Sequence, residues 1–456
     1  MKQVTFLFLG VYCMMPQLHA LDWPQFQGPD RNNFSHEQGI FRQWPESGPK
    51  ELWSVPLGKG FGGPVCKDSQ VFLLDRDDAV GETLRCLDLE TGKELWSFSY
   101  QAPGSAMFPG SRGVPAVDDT HVYTCGHNGD LYCIDLKSHQ TVWHANIWTD
   151  FGGLPADPES GGFGSLKAGS FPIWAITQNP LLYNELVILA SQAPEAGVVA
   201  YEKDSGKVRW KTPNLGNESY ASPTILSIHG SDHIVMVISS TNPIGNRGQP
   251  QTLGHVVGLD PASGEVLWDY DQWNCHISVP SAVAAGKNRV LVVGGYELGA
   301  TMLEVAKSED GTFKVNALFT TEEFGDQTKA PLFHDGYFYA QFGTNNRRDG
   351  LVCMDTQGVI QWKTGREPDF NKGSMILVDG LILATDGATM LYLIEPDPKG
   401  FRPISKAEVL QGGGSGAEGI AARVGGNNQN WAPMALANGK LLLRDQGQLK
   451  CLKVAP

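Results

Sequence analysis

Apolar residues in this chain come in short bursts, not at helical intervals. "VFLL" (71–74), "LVILAS" (186–191), "IVMVIS" (234–239) and "RVLVVGG" (289–295) are each bounded by Gly, Asn, Asp or Pro. Bursts of four to eight apolar residues between turn formers predict β-strands, and amphipathic 3.6-residue faces are hard to find. Alternating stretches such as "DLYCID" (130–135) lie among them, the pattern of a strand with unlike faces.

The bursts belong to a repeat. "RCLDLETGKELW" (85–96) returns as "YCIDLKSHQTVW" (132–143), "AYEKDSGKVRW" (200–210), "GLDPASGEVLW" (258–268) and, one residue shorter, "CMDTQGVIQW" (353–362). Weaker copies start at Met302, with Phe319 in the tryptophan place, at Leu393, and at Cys451. That makes eight units, with Cys86, Cys133, Ala200, Gly258, Met302, Cys353, Leu393 and Cys451 in register. In each unit an alternating strand reaches the register residue. An acid (Asp88, Asp135, Glu202, Asp260) opens a turn closed by T-G, S-G or a variant. A second strand then ends in Trp96, Trp143, Trp210, Trp268 or Trp362. The carboxylate accepts turn N–H groups and Gly supplies positive φ. The indole is large enough to cover a neighbouring unit's face.

Such units cannot bury both sheet faces alone and need neighbours. Their spacing and roughly four strands apiece predict an all-β fold: an eight-bladed β-propeller of four-stranded antiparallel blades. Trp53, in "KELWSVPL", precedes the first complete unit, and the last unit lacks a tryptophan. The ring is therefore expected to close by pairing the N-terminal strand around Trp53 with the C-terminal blade, which hides two sheet edges.

The ends and the totals add a compartment. "MKQVTFLFLGVYCMMPQLHA" has one early lysine, an apolar stretch and a terminal "LHA", so residues 1–20 read as a secretory signal peptide and 21–456 as a single propeller domain. Bulky Tyr12 and Val11 before Cys13 disfavour a lipoprotein, and the expected location is periplasmic or extracellular. No later apolar run reaches 18 residues, so no transmembrane segment is expected. The formal charge of −14 argues against nucleic acid, because like charges repel. Seven of the eight cysteines follow the leader. Cys86, Cys133, Cys353 and Cys451 occupy one register position and read as buried apolar fillers too far apart for disulfides; the state of Cys66, Cys125 and Cys275 stays open.

The unit "L-x-A-L-D-x-x-T-G-K-x-x-W" resembles the repeat of pyrroloquinoline-quinone (PQQ)-like β-propellers. That family includes quinoprotein alcohol dehydrogenases and the propeller lipoprotein of the outer-membrane assembly machine. "DWPQFQGPDRNNFS", "SYASPTI" and "WAPMALANGKLLLRDQGQLKCL" look like its secreted single-propeller branch. The resemblance implies a quinone cofactor in the enzymes, held between a Trp and a disulfide of adjacent cysteines beside calcium or a lanthanide. This chain has no Cys-Cys pair and no C-x-x-C-H haem motif, although some quinoproteins do without the pair. No cofactor is therefore expected, with PQQ and calcium as the alternative.

In such propellers the segments leading into the innermost strands crowd one mouth of the channel. They would place Arg112, Trp174, Tyr220, His276, Lys329, Lys372, Asn430 and Trp431 around one funnel, where cations beside aromatic rings suit an anionic or planar ligand. Alternatively, Trp174 and Trp431 plug the channel and Lys329 and Lys372 face solvent. His276 is a candidate base that needs an orienting partner. Glu297 and Asp326 are the nearest pair for glycoside chemistry. "DRDDAVGE" (75–82) reads as a solvated turn and "HVYTCGHNGDLYC" as a hairpin, not a metal site. Long rim insertions lie around 148–176, 241–254 and 411–430. The expected function is a non-catalytic exported platform for proteins or extracellular polysaccharide; the alternative is a PQQ-dependent alcohol or polyol dehydrogenase.

Overall fold

A computed structural model describes residues 21–156, 171–241, 251–343, 347–413 and 429–456. The leader and much of the three rim insertions lie outside the described residues. Within them the strands form eight sheets, seven of four strands and one of five, arranged as an eight-bladed propeller. Blade 1 comprises Val65–Lys67, Gln70–Asp77, Gly81–Asp88 and Glu94–Gln101, hydrogen-bonded in chain order and antiparallel. Six more blades repeat this order, and their innermost strands begin at Ala116, Leu181, Thr224, Val283, Leu332 and Met375. The innermost strand of blade 1 touches those of blades 2 and 8, so the array is a closed ring.

The burial pattern shows why the apolar bursts and the alternating stretches fall where they do. "VFLL", "LVILAS", "IVMVIS" and "RVLVVGG" all lie in the second strand of a blade. That strand lies between the sheets of two neighbouring blades, and Val71, Phe72, Leu73 and Leu74 are all buried. Both faces must therefore be apolar. The outermost strand Glu94–Gln101 alternates exposed and half-buried residues, because one of its faces meets water.

The eight register residues pair across the sheet with the aromatic positions. Cys86 faces Trp96, Cys133 faces Trp143, Ala200 faces Trp210, Gly258 faces Trp268, Met302 faces Phe319 and Cys353 faces Trp362. The ring closes as expected: Lys50–Pro56 pairs antiparallel with Gln448–Lys453, bringing Trp53 opposite Cys451. In blade 7, Leu393 faces Ser405 instead of an aromatic residue. There Trp44 fills in: its backbone N–H donates to Ser405 Oγ at 3.1 Å, and its indole lies in the apolar cluster shared by blades 7 and 8.

All but one of the repeat indoles lock onto the next blade. Trp53, Trp143, Trp210 and Trp362 donate Nε1–H to the carbonyls of Leu89, Lys203, Pro261 and Asp397, in the following blade's turn, at 2.6–3.1 Å. Gly92, Gly206 and Gly264 lie against three of these rings, with φ of +70°, +67° and +74°. Where blade 2 has His139 in the glycine place, at φ +58°, Trp96 stacks on its imidazole with 4.5 Å between centroids. Blade 5 has no such turn, and Trp268 folds back over Gly258 to donate to His233 Nδ1 at 2.9 Å.

The segment 75–82 departs from the solvated turn that its acids suggest. Arg76 and Glu82 are fully buried and pair at 2.9 Å, and Arg76 also meets Asp78 at 2.6 Å. The carbonyls of Ala102 and Gly104 complete its coordination. Only the tip of the hairpin faces water. Arg76 points inward and draws Asp78 and Glu82 with it, which takes them out of the solvated cluster.

The N-terminal arm adds an arrangement with no counterpart in the repeat. Trp23 bridges Cys66 in blade 1, and Pro24 accepts a hydrogen bond from Val117 in blade 2. Phe34–Ser35 adds a fifth, parallel strand to the inner edge of blade 7, and the carboxylate of Glu37 accepts Gly439 N–H in blade 8. Between them Arg31 is buried and donates to the carbonyls of Pro180 and Pro223, in blades 3 and 4. The arm thus crosses one mouth of the channel, the one carrying the turns between first and second strands, and ties six of the eight blades together.

Candidate functional site

The opposite mouth carries the segments that lead into the innermost strands, and contacts run around it almost continuously. Phe61, Phe108 and Trp431 form an aromatic triad with centroids 5.4–6.0 Å apart. Arg112 donates to the carbonyl of Phe108, to Gly110 O at 2.7 Å and to Trp174 O at 2.7 Å. Trp174 meets Tyr220 edge-on at 5.0 Å, and Tyr220 donates its hydroxyl proton to Glu218. His276 and Tyr296 lie 5.3 Å apart. Asp326, Lys329 and Lys372 complete the circuit, with the Lys372 ammonium 4.7 Å above the Trp431 ring.

These residues differ in how far they are committed. Arg112 is buried, and its guanidinium is taken up by three carbonyls; burial pulls it to about 10, still charged at neutral pH. Arg444 is similar: it binds Gly62 O, Ser111 Oγ and Gly58 O. Both act as struts between lead-in segments. Asn430 donates to Ala388 O and Gln411 O, leaving its own carbonyl oxygen buried and unpaired. Asp326 is wholly buried and accepts the N–H groups of Thr328, Lys329 and Gln341. Burial raises its carboxyl to about 6. Glu297 is exposed, at φ +66°, so the two carboxylates differ sharply in environment and do not form a matched pair. His276 is half-buried, with its pKa lowered by burial, and no carboxylate orients its ring among the described residues.

Two groups are left uncommitted. Lys372 is 3 % exposed, yet its ammonium has no hydrogen bond or ion pair among the described residues. Burial pulls it down to about 8, helped by the charge of Arg348 and opposed by Asp326. Lys329 is half-buried, its ammonium hydrogen-bonds among the described residues only to Thr328 Oγ1, at 3.4 Å, and it is likewise drawn to about 8 by burial. The expectation that these lysines face solvent does not describe Lys372, and Trp431 holds it from the other side. Sequence reasoning missed Glu218, Tyr296 and Arg444 at this mouth. Their only signal was adjacency to the lead-in segments, shared by many surface residues.

All seven described cysteines are free and buried. Among the described residues no three His, Cys, Asp or Glu side chains cluster as a metal site.

An eight-bladed ring tied by indoles that reach from one blade to the next, with an arm across one mouth, defines a repeat propeller of the PQQ-like kind. The chain belongs to the PQQ_2 family (outer membrane protein assembly factor BamB), which it matches over residues 39–157 and 174–398. It is 25 % identical, over 57 % of its length, to the dehydrogenase subunit of a quinone alcohol dehydrogenase from Gluconacetobacter polyoxogenes, of which it covers 41 %. It is 28 % identical, over 27 % of its length, to BamB from Burkholderia pseudomallei, of which it covers 34 %. The chain thus spans less than half of these curated relatives. Among solved structures, quinohemoprotein alcohol dehydrogenase from Comamonas testosteroni superposes with TM-score 0.63 and 13 % identity, covering 95 % of this chain and 80 % of that one. BamB from Moraxella catarrhalis gives 0.55 and 11 %, covering 89 % and 99 %. At such identities the likeness establishes the fold.

The quinone and calcium of the dehydrogenase relatives can be tested against these side chains. A hard divalent cation needs several oxygen ligands. Asp326 is already held by three N–H groups and Glu218 by Tyr220. Trp431 is already engaged by the Lys372 ammonium and by the Phe61 ring. The residues at this mouth do not fit a calcium-bound quinone stacked on an indole.

Proposed function

We propose that this chain is an exported, non-catalytic PQQ-like propeller that serves as a binding platform for proteins or extracellular polymer. The observation that carries the reading is the commitment of the mouth's polar groups. Arg112 and Arg444 bond lead-in segments to one another, Asn430 holds the carbonyls of Ala388 and Gln411, and Asp326 closes the turn of its own segment. Such groups build a rigid rim and are not free to bind substrate. Membership in the BamB-described family supports the same reading, and the leader-like start supports export and a single mature domain over 21–456.

The dehydrogenase relatives make a redox enzyme the competing reading, and reconstitution separates the two. Mature protein is incubated with PQQ and calcium, separated from free quinone, and assayed for bound-quinone absorbance and for dye reduction with alcohols and polyols. The expected result is neither stoichiometric binding nor turnover. Stoichiometric quinone with alcohol-dependent dye reduction would overturn the platform.

A further inference from the structure

The perimeter of the ring is irregular where blades 6 and 7 meet. The outermost strand of blade 6, Ile360–Lys363, stops after four residues, whereas that of blade 7, Arg402–Glu408, runs for seven. An open cavity of about 640 Å³ lies there, where the chain leaves blade 6. Its volume falls in the range of ligand clefts. Arg366, Glu367 and Pro368 form one wall, and Phe401 with the segment 403–406 forms the other. Tyr392 makes the base: it is buried, packs on Phe370 at 4.8 Å and lies 6.4 Å from Phe401. Phe401 meets Trp362 at 6.1 Å, and Trp362 is bonded to Asp397 O, so the apolar surface is set before anything binds.

The charges around the cavity divide into paired and free. Arg402 pairs with Glu395 at 3.2 Å and Asp397 at 3.1 Å, and Asp369 pairs with Arg348 at 3.0 Å. The Arg366 guanidinium and the Lys406 ammonium both line the cavity, and both residues are exposed. Neither side chain makes a hydrogen bond or ion pair among the described residues. Nor does the Tyr392 hydroxyl; burial raises its pKa, so it keeps its proton and can donate. Glu367 is the single carboxylate of the lining. Glu408, two residues beyond Lys406, lies outside the lining and forms no ion pair with it. Free donors with an excess of positive charge thus line an apolar cleft, in a chain whose formal charge is −14.

We propose that this cleft docks an acidic segment of a partner protein. An aromatic or branched apolar side chain sits between Tyr392, Phe401 and Pro403, and flanking carboxylates reach Arg366 and Lys406. Charge complementarity selects an acidic segment over a basic one, and the guanidinium fork suits a carboxylate. The open walls select a peptide over a small molecule. Small ligands sit in sites that bury most of their surface, whereas Arg366, Pro403, Ile404 and Lys406 are all exposed. The inference rests on the platform reading and names the chemistry of its partner. The two fail separately: quinone turnover would remove the platform whatever the peptide does, whereas loss of peptide binding would remove this cleft alone.

The test is fluorescence anisotropy of the full mature chain with the fluorescein-labelled peptide GEDFDEG, compared with GEDSDEG and GKKFKKG. We expect saturable binding of GEDFDEG, at least about tenfold weaker binding of GEDSDEG, and none of GKKFKKG. R366E and K406E should each weaken GEDFDEG binding at least about tenfold, and Y392F should weaken it less. K314E, a charge reversal on the exposed outer strand of blade 5, should bind like the parent, which separates the cleft from the overall field of the chain. Arg366 and Lys406 are exposed, so both reversals should unfold at the parent's temperature. No saturable binding, equal binding of the serine peptide, unchanged affinity in R366E and K406E, or an equal loss in K314E would overturn the cleft. Sedimentation of the free chain gives the remaining outcome: a dimer that K406E dissociates would assign the cleft to a second copy and overturn the proposal.

Discussion

At the scale of the residue, the structure separates buried charges that are partnered from those that are not. Arg76 and Glu82 illustrate the first kind. Removing one partner of a buried pair strands the other, at about 3–5 kcal/mol, so R76M is expected to lower the urea midpoint sharply. A double R76M/E82Q variant should recover part of the loss, read from the same unfolding curves. Lys372 illustrates the second kind. Its amine falls from the ordinary 10.5 to about 8 in the fold. Between those values the unfolded chain holds a proton that the folded chain has released, so stability contributed by this site rises with pH across that window. Below pH 8 the penalty is present in full. K372M should therefore be more stable than the parent by about 1–3 kcal/mol at pH 7, with the difference shrinking towards pH 10. Denaturant unfolding at pH 7, 8.5 and 10 measures this directly, and a constant difference would contradict the assignment.

At the scale of the element, the unit is a turn and an indole belonging to different blades. Gly206 shows the coupling: a methyl group there would lie 2.6 Å from the Trp143 ring, and the residue also sits at φ +67°. Gly230 shares the positive φ, +78°, but has open space around it. G230A should cost only the backbone strain, about 1–2 kcal/mol. G206A adds overpacking of about 1–3 kcal/mol and should also shift Trp143 emission; equal losses at the two sites would show that the indole does not rest on the turn. The repeat's exceptions follow the same logic. Where blade 5 lacks the turn, Trp268 turns back over its own blade, and where blade 7 lacks the indole, Trp44 arrives from the arm.

At the scale of the whole molecule, the ring depends on the chain's front end twice, through Lys50–Pro56 as the outer strand of blade 8 and through residues 22–37 across one mouth. W53A should cost about 3–5 kcal/mol and weaken cooperativity more than removal of an indole within a single continuous blade, such as Trp362. Cysteine titration reports on the same assembly and on export. No thiol should react in the native protein, since all seven described cysteines are buried. In denaturant seven should react if the leader is removed after Ala20, and eight if Cys13 remains.

The sequence by itself determined the blades, their number, the register of indole against small residue, and the closing strand. Those features arise from local chemistry repeated eight times: an acid and a glycine make the turn, and apolar bursts mark strands covered on both faces. Through the lead-in segments it also named Trp174, Tyr220, Lys372 and Trp431, whose side chains the fold carries to one mouth. Only the tertiary structure decided what each of those side chains does, because pairing depends on neighbours distant in sequence. Arg112 and Lys372 look alike as lone cations in glycine-containing loops; the carbonyls of Phe108, Gly110 and Trp174 engage one, whereas the other has only the Trp431 ring among the described residues. The arm was equally hidden, since Arg31 and Trp44 follow no period, and their partners lie 149 and 361 residues away.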